Sequence, residues 1–118
     1  MEPAILVVER EGALTRVLSC LKETWNLRMH VASDALQAIS LVQLHTYAAL
    51  VIDGNLSFID GWALLRYRED NVLAIPAIVV SADQTVPVEF DREFADSVQR
   101  VCLSELPSLI ETHVRRDR

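Results

Sequence analysis

The sequence predicts a three-layer α/β domain, a doubly wound sheet of five parallel strands with helices on both faces. Three observations carry this expectation. Short apolar runs rich in branched residues recur along the chain, as strands covered on both faces require. Between them lie segments whose apolar residues are spaced by three and four, the period of a helix packed along one side. The connections are short, and alternation of strand and helix with short connections favours a parallel sheet.

The first strand is the unbroken run Ala4–Val8. After Gly12, residues Leu14, Val17, Leu18, Leu21 and Trp25 recur at helical spacing, so a first helix ends near Asn26. A second strand covers Arg28–Ala32. Ser33 and Asp34 can cap the next helix, whose apolar positions are Leu36, Ile39, Leu41, Val42 and Leu44. A third strand over 48–52 ends at Asp53, and Gly61 opens a helix carrying Trp62, Leu64 and Leu65. Pro76 precedes a fourth strand over 77–80, ended by Ser81. Pro87 marks the start of a fourth helix with Phe90, Phe94 and Val98 along one face. A short fifth strand over 101–103 and a last helix from Pro107 to Arg115, with Leu109, Ile110 and Val114 inward, complete the expected order.

At 118 residues there is room for one continuous core and not for two, so residues 1–118 read as a single domain. With 51% hydrophobic and 24% charged residues and no low-complexity tract, the composition is that of a folded protein. Eleven Lys and Arg against 17 Asp and Glu give a net charge of −6, which repels a phosphate backbone and argues against direct nucleic-acid binding. The basic cluster Arg115, Arg116 and Arg118 is diluted by Asp117 and reads as a solvated helix end, with a linker to a following effector as the other reading. Cys20 and Cys102 form no C-x-x-C motif and read as two buried thiols. No signal-peptide pattern opens the chain and no apolar run approaches the ~18 residues of a membrane span, so a cytoplasmic location is expected.

Open parallel sheets place their sites at the carboxyl ends of the strands. The residues there are Glu9, Arg10, Glu11, Asp53, Asn55, Ser81 and whatever follows Leu103. This set resembles that of response-regulator receiver domains of two-component signalling. Ile5-Leu6-Val7-Val8 leads into an acidic stretch, and Leu50-Val51-Ile52-Asp53 leads into a segment with Asp60-Gly61 at the family's spacing. Ile75 to Ala82 is similar to the family's fourth strand with its terminal hydroxyl and small neighbour. The resemblance covers essentially the whole chain and implies a flavodoxin-like, CheY-like fold.

It also implies roles. Asp53 occupies the position that takes a phosphoryl group from a histidine kinase, and Ser81 the position whose hydroxyl binds a phosphoryl oxygen. Two acidic residues after the first strand would hold Mg²⁺, with a backbone carbonyl that belongs to Asn55. A carboxylate attacks phosphorus only when metal and cation offset the incoming negative charge, so most of such catalysis is charge placement.

The sequence departs from that pattern at two places. Glu9-Arg10 stands where the family has two aspartates, and Arg10 therefore replaces an acidic metal ligand. At about 4 Å and an effective dielectric near 20, Arg10 would attract Asp53 by on the order of 4 kcal/mol before desolvation, and it would repel a divalent cation. Glu9 and Glu11, with Asp53 and the Asn55 carbonyl, are the alternative donors of a rebuilt Mg²⁺ site. The lysine that follows the fifth strand in the family is replaced by Ser104 or, in another register, by Arg100; the only lysine is Lys22, in the first helix. The expected cofactor is thus none, or weakly held Mg²⁺.

These departures predict an atypical receiver that is not an enzyme and acts through contacts with a histidine kinase or other signalling protein. The alternative is an ordinary receiver phosphorylated on Asp53. A cofactor enzyme of the same architecture is disfavoured because Gly12, Gly54 and Gly61 form no phosphate-binding loop. His30, His45 and His113 have no ligand spacing and read as boundary residues. Val86, Val88 and the outward side of the last helix are the expected surface for a partner or a homodimer.

Overall fold

The computed structural model describes residues 3–81, 94 and 98–117. Five parallel strands, β1 (Ala4–Val8), β2 (Arg28–Ala32), β3 (Ala49–Asp53), β4 (Ala77–Ser81) and β5 (Val98–Cys102), form one sheet in the order β2-β1-β3-β4-β5. The described helices are α1 (Ala13–Thr24), α2 (Ala35–Leu44), α3 (Phe58–Asp70) and α4 (Leu106–Asp117), the last entered through a 3₁₀ turn, Leu103–Glu105. The expected flavodoxin-like, CheY-like architecture is what the chain adopts.

Two apolar clusters lie on opposite faces of the sheet, because successive strand residues point to opposite sides. Leu6, Val8, Leu50, Ile52 and Val79 pack with α2, α3 and Phe94 on one face. Ile5, Val7, Val51, Ile78 and Val80 pack with Leu14, Leu18 and Leu21 of α1 and Ile110 and Val114 of α4 on the other. β1, β3 and β4 are covered on both faces, which explains their unbroken apolar sequences.

Several expectations need correction. Val98 begins β5 instead of ending a helix: it pairs with Ala77, and the polar Gln99 and Arg100 behind it disguised a strand at the sheet edge. α3 begins at Phe58, three residues before Gly61, because the Ser57 side chain caps it. Leu36 and Leu44 are each 76% exposed; α2 turns the small Ala35 and Ala38 to the sheet, with Ile39, Leu41 and Val42 beside them. Neither thiol is fully buried: Cys20 is exposed on α1 and Cys102 is half-buried on β5. Arg115 is no idle helix end, since its guanidinium sits 5.2 Å from the centre of the Trp25 ring and ties α4 to the end of α1. The partner surface expected around Val86 and Val88, together with Pro87 and Phe90, lies outside the described residues. Among those described, no helix is long and apolar enough to cross a membrane.

Candidate functional site

In the strand order β2-β1-β3-β4-β5, the chain leaves β1 toward one edge and, after β2, crosses to the other side to build β3. The carboxyl ends of β1 and β3 therefore frame the crevice where the winding reverses, the usual place for a site in an open sheet. Glu9 and Arg10 follow β1 there, and Asp53 closes β3.

Asp53 is half-buried, and its Oδ1 accepts the amide of Asn55 at 3.0 Å, which turns the chain sharply after the strand. The next residue fixes the distance to β4. Gly54 donates its amide to the carbonyl of Val80 at 2.7 Å, and a Cβ on Gly54 would lie 2.7 Å from that same oxygen. Only glycine permits so close an approach. It sets Asp53 next to Ser81, whose own Cα and Cβ would be 3.5 Å from the added carbon. Asp53, Asn55 and Ser81 are thus brought together.

The acidic residues after β1 are arranged differently from the expectation. Glu9 is buried, and its two carboxylate oxygens accept the amides of Leu14 and Thr15, each at 2.8 Å, and the Thr15 hydroxyl. α1 has Gly12 as its first flanking residue, in the left-handed region with φ 83°, and so lacks a local side-chain cap. Glu9 supplies that cap from β1, and its negative charge faces the positive end of the helix. Arg10 is 64% exposed and pairs with Asp60, Nη2 to Oδ2 3.5 Å, where pairing with Asp53 was expected. Glu11 is exposed in the turn before α1.

Such a donor set does not fit the Mg²⁺ site implied by the resemblance. The carboxylate of Glu9 is already committed to α1, and the position after it carries a cation. Among the described residues no three His, Cys, Asp or Glu side chains are placed to share a metal ion.

An open cleft of ≈ 320 Å³ adjoins the site on the β5 side, lined among the described residues by Ser81, Arg100, Val101, Cys102 and Glu105. Ser104 follows β5 in the 3₁₀ turn, whereas Arg100 lies within the strand opposite Val79. Leu103 directly follows β5 and Ser104 comes next, while among the described residues the cation lining the cleft, Arg100, comes from inside the strand.

Two groupings escaped the sequence reading. Asp60 was noted only for its spacing, yet its Oδ2 accepts the Ser57 hydroxyl at 2.8 Å while its own amide donates to Ser57 Oγ at 3.2 Å. The signal was present as a Ser-x-x-Asp capping pattern. The Ala35 amide, 3.1 Å from Asp60 Oδ1, could not have been foreseen from spacing. These contacts hold the Asp60 carboxyl below the usual carboxylate range, the Ala35 amide most, the Ser57 hydroxyl next, with Arg10 adding to them against the opposing effect of burial. The second grouping joins the middle of β2 to the segment before β3. There His30 Nδ1 is 2.7 Å from the Tyr47 hydroxyl, and the His30 and His45 rings meet edge to face with centres 4.7 Å apart.

No protein-family model matches the chain, and no curated protein does. Solved structures do. The Francisella response regulator 1452 receiver domain superposes with a TM-score of 0.75 over 98% of this chain and 99% of its own, at 22% identity. A signal receiver domain of an HD domain-containing protein from Pseudomonas fluorescens Pf-5 gives 0.78 over 98% and 97%, at 19% identity. The receiver domain of sensor histidine kinase PA1611 from Pseudomonas aeruginosa PAO1, solved with a magnesium ion coordinated in its active-site cleft, gives 0.70 over 97% and 98%, at 21% identity.

The chain has the receiver-domain fold. Within that receiver fold, Asp53 and Ser81 end the third and fourth strands side by side, and Glu9-Arg10 follows the first.

Proposed function

We propose that this domain is an atypical receiver of two-component signalling, one that works by docking signalling proteins without Mg²⁺-dependent phosphorylation of Asp53. The observation that carries the reading is the use of Glu9. Its buried carboxylate caps α1 with three hydrogen bonds, so giving it to a metal ion would strip the helix of its cap. Arg10 strengthens the argument, because a guanidinium at the neighbouring position disfavours a divalent cation by charge alone.

Phosphoryl transfer to a carboxylate needs positive charge around the transferring group. Ser104, just past the end of β5, supplies none, and Arg100, which lines the adjoining cleft, sits within the strand opposite Val79 and not at its end. In this reading the domain turns over no metabolite, needs no cofactor, and meets a histidine kinase or another signalling protein in the cytoplasm. A Mg²⁺ titration of the intact chain followed by amide NMR tests the metal-free part of this reading. No shift at Asn55 or Glu9 up to millimolar Mg²⁺ is expected; saturable shifts that disappear in Glu9→Gln or Glu11→Gln would establish the rebuilt metal site and overturn the metal-free reading.

A further inference from the structure

Three connections converge at the carboxyl end of the sheet. One leaves β1 and carries Arg10; one joins β2 to α2 and ends at Ala35; one joins β3 to α3 and carries Ser57. A single carboxylate touches all three. Asp60 Oδ1 accepts the Ala35 amide at 3.1 Å, and Oδ2 accepts the Ser57 hydroxyl at 2.8 Å and stands 3.5 Å from Arg10 Nη2.

These bonds differ in what they accomplish. The Ser57 pair is local and shapes the first turn of α3. The Ala35 bond spans 25 residues and joins the start of α2 to the start of α3. Asp34 serves the Gln37 amide of the same α2 turn at 2.8 Å, so Asp60 completes from a distance a cap that α2 only half provides for itself. A carboxylate accepting from a backbone amide is a strong bond of its kind, and the positive ends of both helices favour the charge. Arg10 is largely exposed, so its share is the smallest of the three.

We propose that Asp60 is the positioning residue of this site, a clasp that holds the three connections around Asp53 in one arrangement without a metal ion. The inference rests on the atypical-receiver reading and names what keeps the geometry in place when no cation binds. Each contact draws on the ionised carboxylate, and the surroundings of Asp60 keep it ionised throughout the neutral range.

Amide hydrogen exchange and NMR of the intact chain test it, with Asp60→Ala, Asp60→Asn and Arg10→Gln. In Asp60→Ala, exchange at Ala35 and Asn55 should rise about tenfold or more, while Val7 and Val51 in the central strands keep their protection. Asp60→Asn retains an oxygen for the Ala35 amide and should restore most of the protection at that position. Arg10→Gln should change exchange by no more than about twofold. In the parent chain, the amide resonances of Arg10 and Ala35 should shift together with a midpoint below 3.8, and that shared titration should vanish in Asp60→Asn. If Asp60→Ala accelerates Ala35 alone, the residue is a local cap and the clasp is wrong. Should Asp60→Ala fail to fold, Asp60→Asn decides: a shared titration that persists there overturns the proposal. Metal binding by the parent chain would remove the atypical reading while leaving these exchange results to be judged on their own.

Discussion

Glu9 accepts the Leu14 amide at 2.8 Å across the turn that leads from β1 into α1, and in doing so an acidic residue at the head of the site becomes part of a helix terminus. Only 2% of Glu9 is exposed, and the amide and hydroxyl of Thr15 occupy its second oxygen. Glu9→Ala should lower stability by roughly 2–3 kcal/mol, the sum expected for a lost cap and buried amides left without an acceptor. Glu9→Gln, which keeps one acceptor oxygen, should cost about half as much. Urea unfolding reads both, and an unchanged midpoint in the alanine variant would mean that Glu9 does not cap α1.

Gly54 is the second point at which the site depends on one residue. Its missing side chain is the space occupied by the Val80 carbonyl, so Gly54→Ala forces β3 and β4 apart at Asp53 and Ser81. A loss of roughly 1–3 kcal/mol is expected from the overpacking, visible as a lower thermal midpoint. The Ser81 amide resonance should move with it. A variant as stable as the parent, with Ser81 unshifted, would refute the close approach.

Val72 stands at φ 50°, in the left-handed region, immediately after the last residues of α3, and is 87% exposed. A branched side chain is strained there and gains no burial in return. The Val72 and Leu73 amides nevertheless close the end of α3 on the Glu69 and Arg68 carbonyls, the position a glycine commonly fills. Val72→Gly should therefore stabilise the fold by about 1 kcal/mol, an unusual sign for a glycine substitution. Chemical unfolding that finds it destabilised would contradict the conformation.

His30 gives the fold a pH dependence. Burial pushes its pKa below the ordinary value of 6.5, and nearby His45 and then Arg28 push it the same way. The unfolded chain consequently binds this proton more readily than the folded one, and stability rises with pH in between. It is full above pH 6.5 and is lost as the pH falls from there through the lower folded value. Denaturation midpoints should decline over that interval in the parent chain and decline less in His30→Gln, whose amide can still meet the Tyr47 hydroxyl. Equal slopes in the two proteins would place the titration elsewhere.

Much of this was legible before the structure. β1, β2 and β4 announce themselves because their residues are apolar on both sides or bounded by clear breakers, and Asp34 reads as a cap from its place before α2. β5 was displaced by three residues because Gln99 and Arg100, exposed at the sheet edge, erase the apolar run. α2 misled in the opposite sense: Leu36 and Leu44 look like core, but the alanines face the sheet, and a helix apolar nearly all round does not declare which side packs. At the site, the positions of Asp53 and Ser81 at strand ends were legible from the apolar runs they close, and their pairing came from the resemblance to receiver domains. The engagements of Glu9 with Leu14 and of Asp60 with Ala35 depend on how separate elements approach, which spacing does not encode.

In the function proposed for this domain, the charges around Asp53 in the receiver fold do not support phosphoryl transfer. Intact-mass spectrometry after incubation with saturating acetyl phosphate and Mg²⁺ addresses it most directly, with Asp53→Asn as the control. An unmodified mass for the parent chain is the predicted result, whereas addition of one phosphoryl group that is lost in Asp53→Asn would contradict it.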